Sequence, residues 1–365
     1  MSVLLAQRPF FRVLPPPRYL LMPSSGVDVS DEAIKFIDLQ STARGVRVKQ
    51  YATIEIPKGA IVRGEIKDPA PVIEGLRTLQ SEYAVSFAHA SLPQEHAYLF
   101  QASLPCDVPP QQIKTSIEFK LKENIPLAPE EVLFDFQSIA LGAEHKREQL
   151  YAVSAYPREL IESYIAVFDE AGITLMSLET EGEANTRSVI SQEPGTYMLV
   201  DIGRAGTEVS IVYRGHVLST ASVDVCGQTF TEVVKRFKQV SWQEAEHIKH
   251  EHGFVKSNEN EELFEALLSP VSDLRDAINK QLTYWHMHHG THEITHYDVE
   301  EIIFSGGGSN LKGLVDYFGA TMSLPVSSAN VWRNVVSLEE YIPPLSRTAS
   351  LSYATAVGLS LKSLQ

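Results

Sequence analysis

The stretch VDIGRAGTEVSIVYRG, residues 200–215, reads as two short apolar strands around a glycine turn. Asp201 ends the first strand, so a buried segment would hold its carboxylate in place. Gly203 and Gly206 let backbone N–H groups converge on one point, and Thr207 adds a hydroxyl. Such a nest suits a phosphate, with Asp201 facing a hydrated Mg²⁺ or an attacking water. A plain hairpin whose glycines only serve turn geometry is the competing reading.

Working outward, the segment Val27 to Leu39 echoes Val200 to Val212: Val-Asp, a turn, then a strand. This first copy, GVDVSDEAIKF at 26–36, offers Asp28, Ser30 and Lys35. It also places Asp31 and Glu32 where an anion would sit. Each would oppose a triphosphate by roughly 1 kcal/mol or more even in a screened site. Either their side chains point away while their amides face inward, or they hold Mg²⁺ waters, or the hairpin binds weakly. A third turn lies in IIFSGGGSNLKGLVDYF, 302–318, where Gly306, Gly307 and Gly308 leave bare backbone against which a nucleobase and ribose can pack. Its competing reading is a strand-to-helix loop needing a sharp entry.

The rest of the chain gives the frame. Its 365 residues suffice for two domains or one bilobal one, and 44% hydrophobic with 21% charged residues is a globular composition. No apolar run approaches a membrane span, and the proline-broken N-terminus lacks a signal-peptide core. A net charge of −15 opposes nonspecific attraction to nucleic acid or anionic lipid. Cys106 and Cys226 are too few for a disulfide framework, which favours a reducing compartment.

The sequence predicts a proline-rich leader over 1–23. The resemblance drawn below implies the start of a first lobe over 24–92, an inserted subdomain over 93–172 and a return to the first lobe over 173–195. It also implies a second lobe over 196–350 with a helical insertion at 228–298, and a last connecting helix over 351–365. Within the 93–172 block, Ile113, Ile117, Leu121 and Ile125 recur every fourth residue, the mark of an amphipathic helix. In SWQEAEHIKHEHG, 241–253, Ser241 and Glu244 form a capping box and Gly253 a stop.

The order of the three turns resembles the actin-like (ribonuclease H-like) ATPase superfamily, which includes actin, hexokinase and FtsA. The pieces VDIGRAGTEVSIVYRG, SWQEAEHIKHEHG, IIFSGGGSNLKGLVDYF, ANVWRNV (329–335) and SLSYATAVGLSL (350–361) narrow this to the PilM family of type IV pilus assembly. The leader PPPRYLLMPSSGVDVSDEAIKF, 15–36, fits as well.

The resemblance implies an α/β fold of two repeated lobes around a cleft, joined by segments near 181–192 and 351–363. It implies ATP and Mg²⁺ as cofactors and at most slow hydrolysis. Asp28 and Asp201 would face the metal. Ser30, Lys35, Gly203, Gly206 and Thr207 would form the phosphate hairpins, and Gly306, Gly307, Gly308 and Asn310 the adenosine loop. Glu246 and Lys249 would reach ribose and base, and Glu181 would position water. It also implies a partner: the cytoplasmic peptide of a PilN-type inner-membrane protein, lying in a groove of the inserted subdomain. The helix with Ile113, Ile117 and Leu121 is the candidate wall, with plain core packing as the bland reading of each residue. The protein would then be cytoplasmic and recruited to the membrane's inner face through partners, with pilus motor ATPases as further candidates.

Other chemistry finds less support. The histidines 286, 288, 289, 292 and 296 have no flanking cysteine or ordered carboxylates and read as a solvated helix end rather than a metal site. No nucleophile elbow occurs. Trp285 and Trp332 read as core or interface aromatics. A small-molecule kinase of the same fold would need a catalytic acid between the lobes, for which only Glu181 qualifies. A nucleotide-independent scaffold is the other alternative. A division protein that grips lipid itself would need a tail beyond LSLKSLQ.

Overall fold

The computed structural model describes residues 23–42, 45–139, 148–191, 195–257, 260–289 and 298–364. All but Pro23 of the leader lies outside these residues, as do His292, His296 and the side chains of His288 and His289.

Two five-stranded sheets carry the molecule, and they share one strand plan. In the first, the strands run Thr174–Thr180, Phe87–Leu92, Ser25–Ser30, Ala33–Thr42, Gly45–Glu55. In the second they run Val326–Ser328, Glu301–Ser305, Thr196–Ile202, Thr207–Tyr213, His216–Val223. Each has three antiparallel strands followed by two parallel ones. The weak repeat between 27–39 and 200–212 therefore marks the same hairpin in two related lobes.

Local chemistry explains the elements around the sheets. The helix Pro69–Tyr83 starts because Asp68 caps the Ala70 amide and Pro69 fits its first turn. Its Val72, Ile73, Leu76 and Leu79 are buried on the first sheet. The helix Trp242–His252 is capped by Ser241, which accepts from Glu244 N, and stops at Gly253, as its sequence predicts. It joins Gly227–Lys238 and the 29-residue helix Glu261–His289, which carries Pro270 inside it, on the second lobe. Trp285 and Trp332 are both buried.

Two helices join the lobes. Glu181–Val189 is capped by Thr180, and Ala354–Lys362 crosses it with residues Ala354 to Leu361 all buried. They meet at Gly358, where an added Cβ would lie 1.6 Å from the Ala184 carbonyl oxygen. Below the crossing, Glu179 takes two bonds from Arg187 and one from Lys362.

The insertion is a three-stranded sheet, with Glu148–Pro157 between Tyr98–Pro105 and Val132–Ile139. The helix Pro110–Asn124 covers it. The helix Arg158–Glu170, grouped with this block by the sequence, instead buries Leu160, Tyr164, Val167 and Phe168 in the first-lobe core. Among the described residues no helix is long and apolar enough to cross a membrane.

Candidate functional site

The first hairpin pairs Asp28 with Lys35 and Ser30 with Ala33. Asp28 is 7% exposed and accepts a hydrogen bond from Ser91 Oγ at 2.8 Å, reaching from the neighbouring parallel strand. Burial raises its pKa above the usual carboxylate value, against the pull of Lys35 and Ser91. Ser30 Oγ donates to the Ala33 carbonyl and closes the turn. The two extra carboxylates part company. Asp31 turns away and accepts from the amides of Arg63 and Gly64, each at 2.9 Å. Glu32 turns the other way and reaches across to the second lobe.

The second hairpin ends at Ile202, paired with Thr207. Asp201 Oδ2 accepts from Asn185 Nδ2 at 2.8 Å, and Asn185 Oδ1 accepts from Ser305 Oγ at 3.2 Å. One amide on the connecting helix thus fixes the aspartate and the strand leading into the glycine loop. At Gly306, where φ is +82°, an added Cβ would lie 2.3 Å from Asp201 Oδ1; at Gly308 it would lie 2.4 Å from Ile202 Cγ2. Bare glycine is what lets this loop pack on the hairpin. The Gly203 amide donates to the Gly206 carbonyl, and the amides of Gly227 and Gln228 donate to the carbonyls of Gly203 and Arg204. Thr207 corrects the sequence reading. It is fully buried and its hydroxyl donates to the Val225 carbonyl at 2.6 Å, so it braces the turn and offers no donor outward.

All three turns line one cleft of about 630 Å³. Asp28, Ser30, Lys35, Gly203, Gly206, Thr207, Asp201, Glu181, Glu246, Lys249 and Gly306 to Gly308 lie along it. Asn310 does not. Its side chain donates to the Thr348 carbonyl and tethers the loop before the last helices. Lys249 lines the cleft, but its ammonium is buried against Thr231 Oγ1 at 2.8 Å and Glu246 Oε1 at 2.9 Å, so it orients Glu246. Ile117 and Leu121 are also corrected. Both are buried against the insertion's own sheet and Ile113 is partly so, because the apolar face of a helix seeks its sheet first. This is the plain core packing set beside the groove reading above, and the exposed aromatic on that helix is Phe119.

The electrostatics of the cleft floor call for a cation. Burial and the neighbouring Asp28 raise Asp201 to about 6, with Asn185 and Lys35 opposing. Burial, Asp28 and Asp201 raise Glu181 well above the usual value. A cation between Asp28 and Asp201 would offset the two neighbouring charges that help to raise it. Because the folded pKa of Asp201 exceeds its unfolded 3.8, ionising it destabilises the fold as pH rises through about 6. Asp201→Asn should therefore stabilise the unliganded protein by about 1–3 kcal/mol at pH 7 and by less at pH 5, read from urea unfolding.

The residues fit a magnesium nucleotide on two further observations. Gln94, which lines the cleft beside Glu181, has a buried Nε2 with no hydrogen-bond acceptor among the described residues. The glycine loop brings bare backbone to the same cleft, with Gly306 and Gly308 pressed against the second hairpin. Among the described residues no three His, Cys, Asp or Glu side chains cluster as a direct metal cage. The Asp28–Asp201 pair suits a hydrated ion instead. Sequence reading missed Asn185, Ser91, Gln94 and Gln228. Only Asn185 had a signal, one helical turn beyond Glu181 on the same helix.

Twin lobes, each led by a hairpin, with helices crossing between them and a glycine loop at the mouth, define an actin-like fold. Solved structures agree. A PilM–PilN type IV pilus biogenesis complex matches with a TM-score of 0.77 at 18% identity, covering 94% of this chain and 99% of that one. The ethanolamine utilization protein EutJ from Carboxydothermus hydrogenoformans matches with a TM-score of 0.51 at 17% identity, covering 95% and 90%. MreB5 of Spiroplasma citri bound to ADP matches with 0.56 at 13% identity, covering 93% and 96%. Residues 26–364 match the family described as type IV pilus assembly protein PilM, and the chain belongs to that family.

Proposed function

We propose that this pilus assembly protein is a nucleotide-operated platform. It takes ATP with Mg²⁺ in the cleft and presents its insertion to the cytoplasmic peptide of a PilN-type membrane protein. The observation that carries this is the convergence of three turns, far apart in sequence, on one cleft with Asp28 and Asp201 at its floor. MreB5 was solved with ADP in the same fold, and the PilM relative was solved with PilN. Lys35 and the turn amides would hold phosphate, Glu246 the ribose, and Asp28 and Asp201 the waters of the metal. Bound there, the metal would supply the charge that lets both aspartates ionise together. Glu181 and Gln94 would orient a water, at a rate no better than slow ATPase turnover. Nucleotide then shifts the population of lobe positions, and the peptide reads that shift. On this reading the protein works in the cytoplasm and reaches the membrane through its partner.

Calorimetric titration of ATP, with and without Mg²⁺, tests the nucleotide half. The wild type should bind in a Mg²⁺-dependent way, and Asp201→Asn should weaken that binding about 100-fold, or ~3 kcal/mol. Equal affinity of the two proteins, or no binding by either, removes the nucleotide from the account. Capture of a PilN-type N-terminal peptide tests the other half. Phe119, 70% exposed on the insertion's helix, is the contact we assign to it. Phe119→Ala should reduce capture with no loss of stability, and unchanged capture places the peptide elsewhere.

A further inference from the structure

The cleft already holds an anion between its two hairpin turns. Glu32 Oε2 lies 2.6 Å from Arg204 Nε, in the turn of the second hairpin. Its Oε1 accepts from Gln228 Nε2 at 2.6 Å, at the start of the helix against which that turn rests. Lys58 Nζ stands 3.4 Å from the same oxygen and over the ring of Trp242, again across the cleft. One carboxylate of the first lobe, only 15% exposed, thus ties the first hairpin to the second.

The order of the loops says what this carboxylate displaces. Gly306 and Gly308 pack directly on Ile202, and Gly308 also approaches Gly203. A phosphate chain leading away from a nucleoside on that loop would meet the 203–206 turn first and the 30–35 hairpin last. The last phosphate of a triphosphate would then enter the gap that Glu32 spans. There Arg204 is already neutralised, and a displaced carboxylate would remain in a cleft that also holds Asp28 and Asp201. A diphosphate stops short of this gap.

Resting on the nucleotide reading above, we propose that Glu32 makes the cleft hold a nucleoside diphosphate more tightly than the triphosphate it also takes. The selectivity comes from an element that repels the wrong ligand, a standard route to specificity. Glu32 also closes the unliganded cleft through Arg204 and Gln228, so triphosphate binding and lobe opening are coupled.

The test is calorimetric titration of Mg·ADP and Mg·ATP into wild type, Glu32→Gln and Glu32→Ser, with thermal melting of each sample as a check on folding. The wild type should bind ADP roughly tenfold or more tighter than ATP. Glu32→Gln keeps the side chain's length and removes its charge, and should bring the two affinities within about threefold by improving ATP. Glu32→Ser should do the same without the long side chain. Equal affinities in the wild type, or an ADP preference that both variants retain, would overturn the proposal while leaving the nucleotide reading standing. Failure of all three proteins to bind either nucleotide would overturn both.

Discussion

Gly358→Ala should lose about 4 kcal/mol of unfolding free energy or more, above the ~1–3 kcal/mol usual for an inserted methylene. The added Cβ would lie 1.6 Å from the Ala184 oxygen and 2.4 Å from its carbonyl carbon. Both are backbone atoms of a buried helix, so no flexible side chain can yield. Relief requires the two connecting helices to separate, and these helices carry the contact between the lobes. Gly319→Ala is the control. Gly319 is helical, and a Cβ there would meet nothing within 4 Å. It should gain roughly 0.5–1 kcal/mol from the better helix propensity of alanine. Urea unfolding of the three proteins reads the difference. A Gly358→Ala protein with the wild-type midpoint would mean that the helices do not touch at this point.

Glu179→Gln should cost about 3–5 kcal/mol, the range for breaking a buried ion pair from one side. The Glu179 side chain is 5% exposed; it accepts from Arg187 Nη1 at 2.6 Å, Arg187 Nη2 at 2.8 Å and Lys362 Nζ at 3.0 Å. Burial pushes its pKa up, but the bonds and charge of Arg187, then Lys362, outweigh it and hold the carboxyl below its usual 4.5. A depressed folded pKa gives stability that is present above the unfolded value and lost as pH falls through the folded one. The gap between wild type and Glu179→Gln should therefore be full at pH 7 and narrow below about pH 4. Glu183 limits the loss. Burial and Glu179 raise it to about 7, so removing Glu179 lets it ionise beside Arg187 and Lys362. Paired unfolding curves at pH 7 and well below pH 4 decide the matter. A constant gap across that interval would assign the cost to packing rather than charge.

The turns were legible in the sequence because each is a local pattern. An apolar strand runs into a carboxylate at the first two and into clustered glycines at the last two, each within about ten residues, and their order along the chain placed them around one cleft. The cap at Ser241 was legible for the same reason. What holds the turns is not local. Ser91 reaches Asp28 across 63 residues, Ser305 reaches Asn185 across 120, and Gln228 reaches Glu32 across 196. Spacing carries no trace of such contacts. Thr207 and Asn310 were misread because residue type names what a side chain can donate, whereas the fold had already given each an acceptor in Val225 and Thr348. Asp31 and Glu32 could not be told apart in sequence, since adjacent residues at a turn point in opposite directions. The helix Pro110–Asn124 was found correctly, but its regular apolar face pointed to the neighbouring sheet and not to a partner.

The insertion leaves the chain from the first lobe, yet it does not rest there alone. Its strand Tyr98–Pro105 lies against His216–Val223 of the second lobe, and its Ile139, Leu150 and Ala152 sit in the second lobe's core cluster. It is a strut clamped at both ends. Were the lobes to turn relative to one another, its base would shear, and on the function proposed above a peptide gripping the far side would be dragged with it. A membrane tether attached to that strut would then feel the state of the cleft as a mechanical load without ever touching a phosphate.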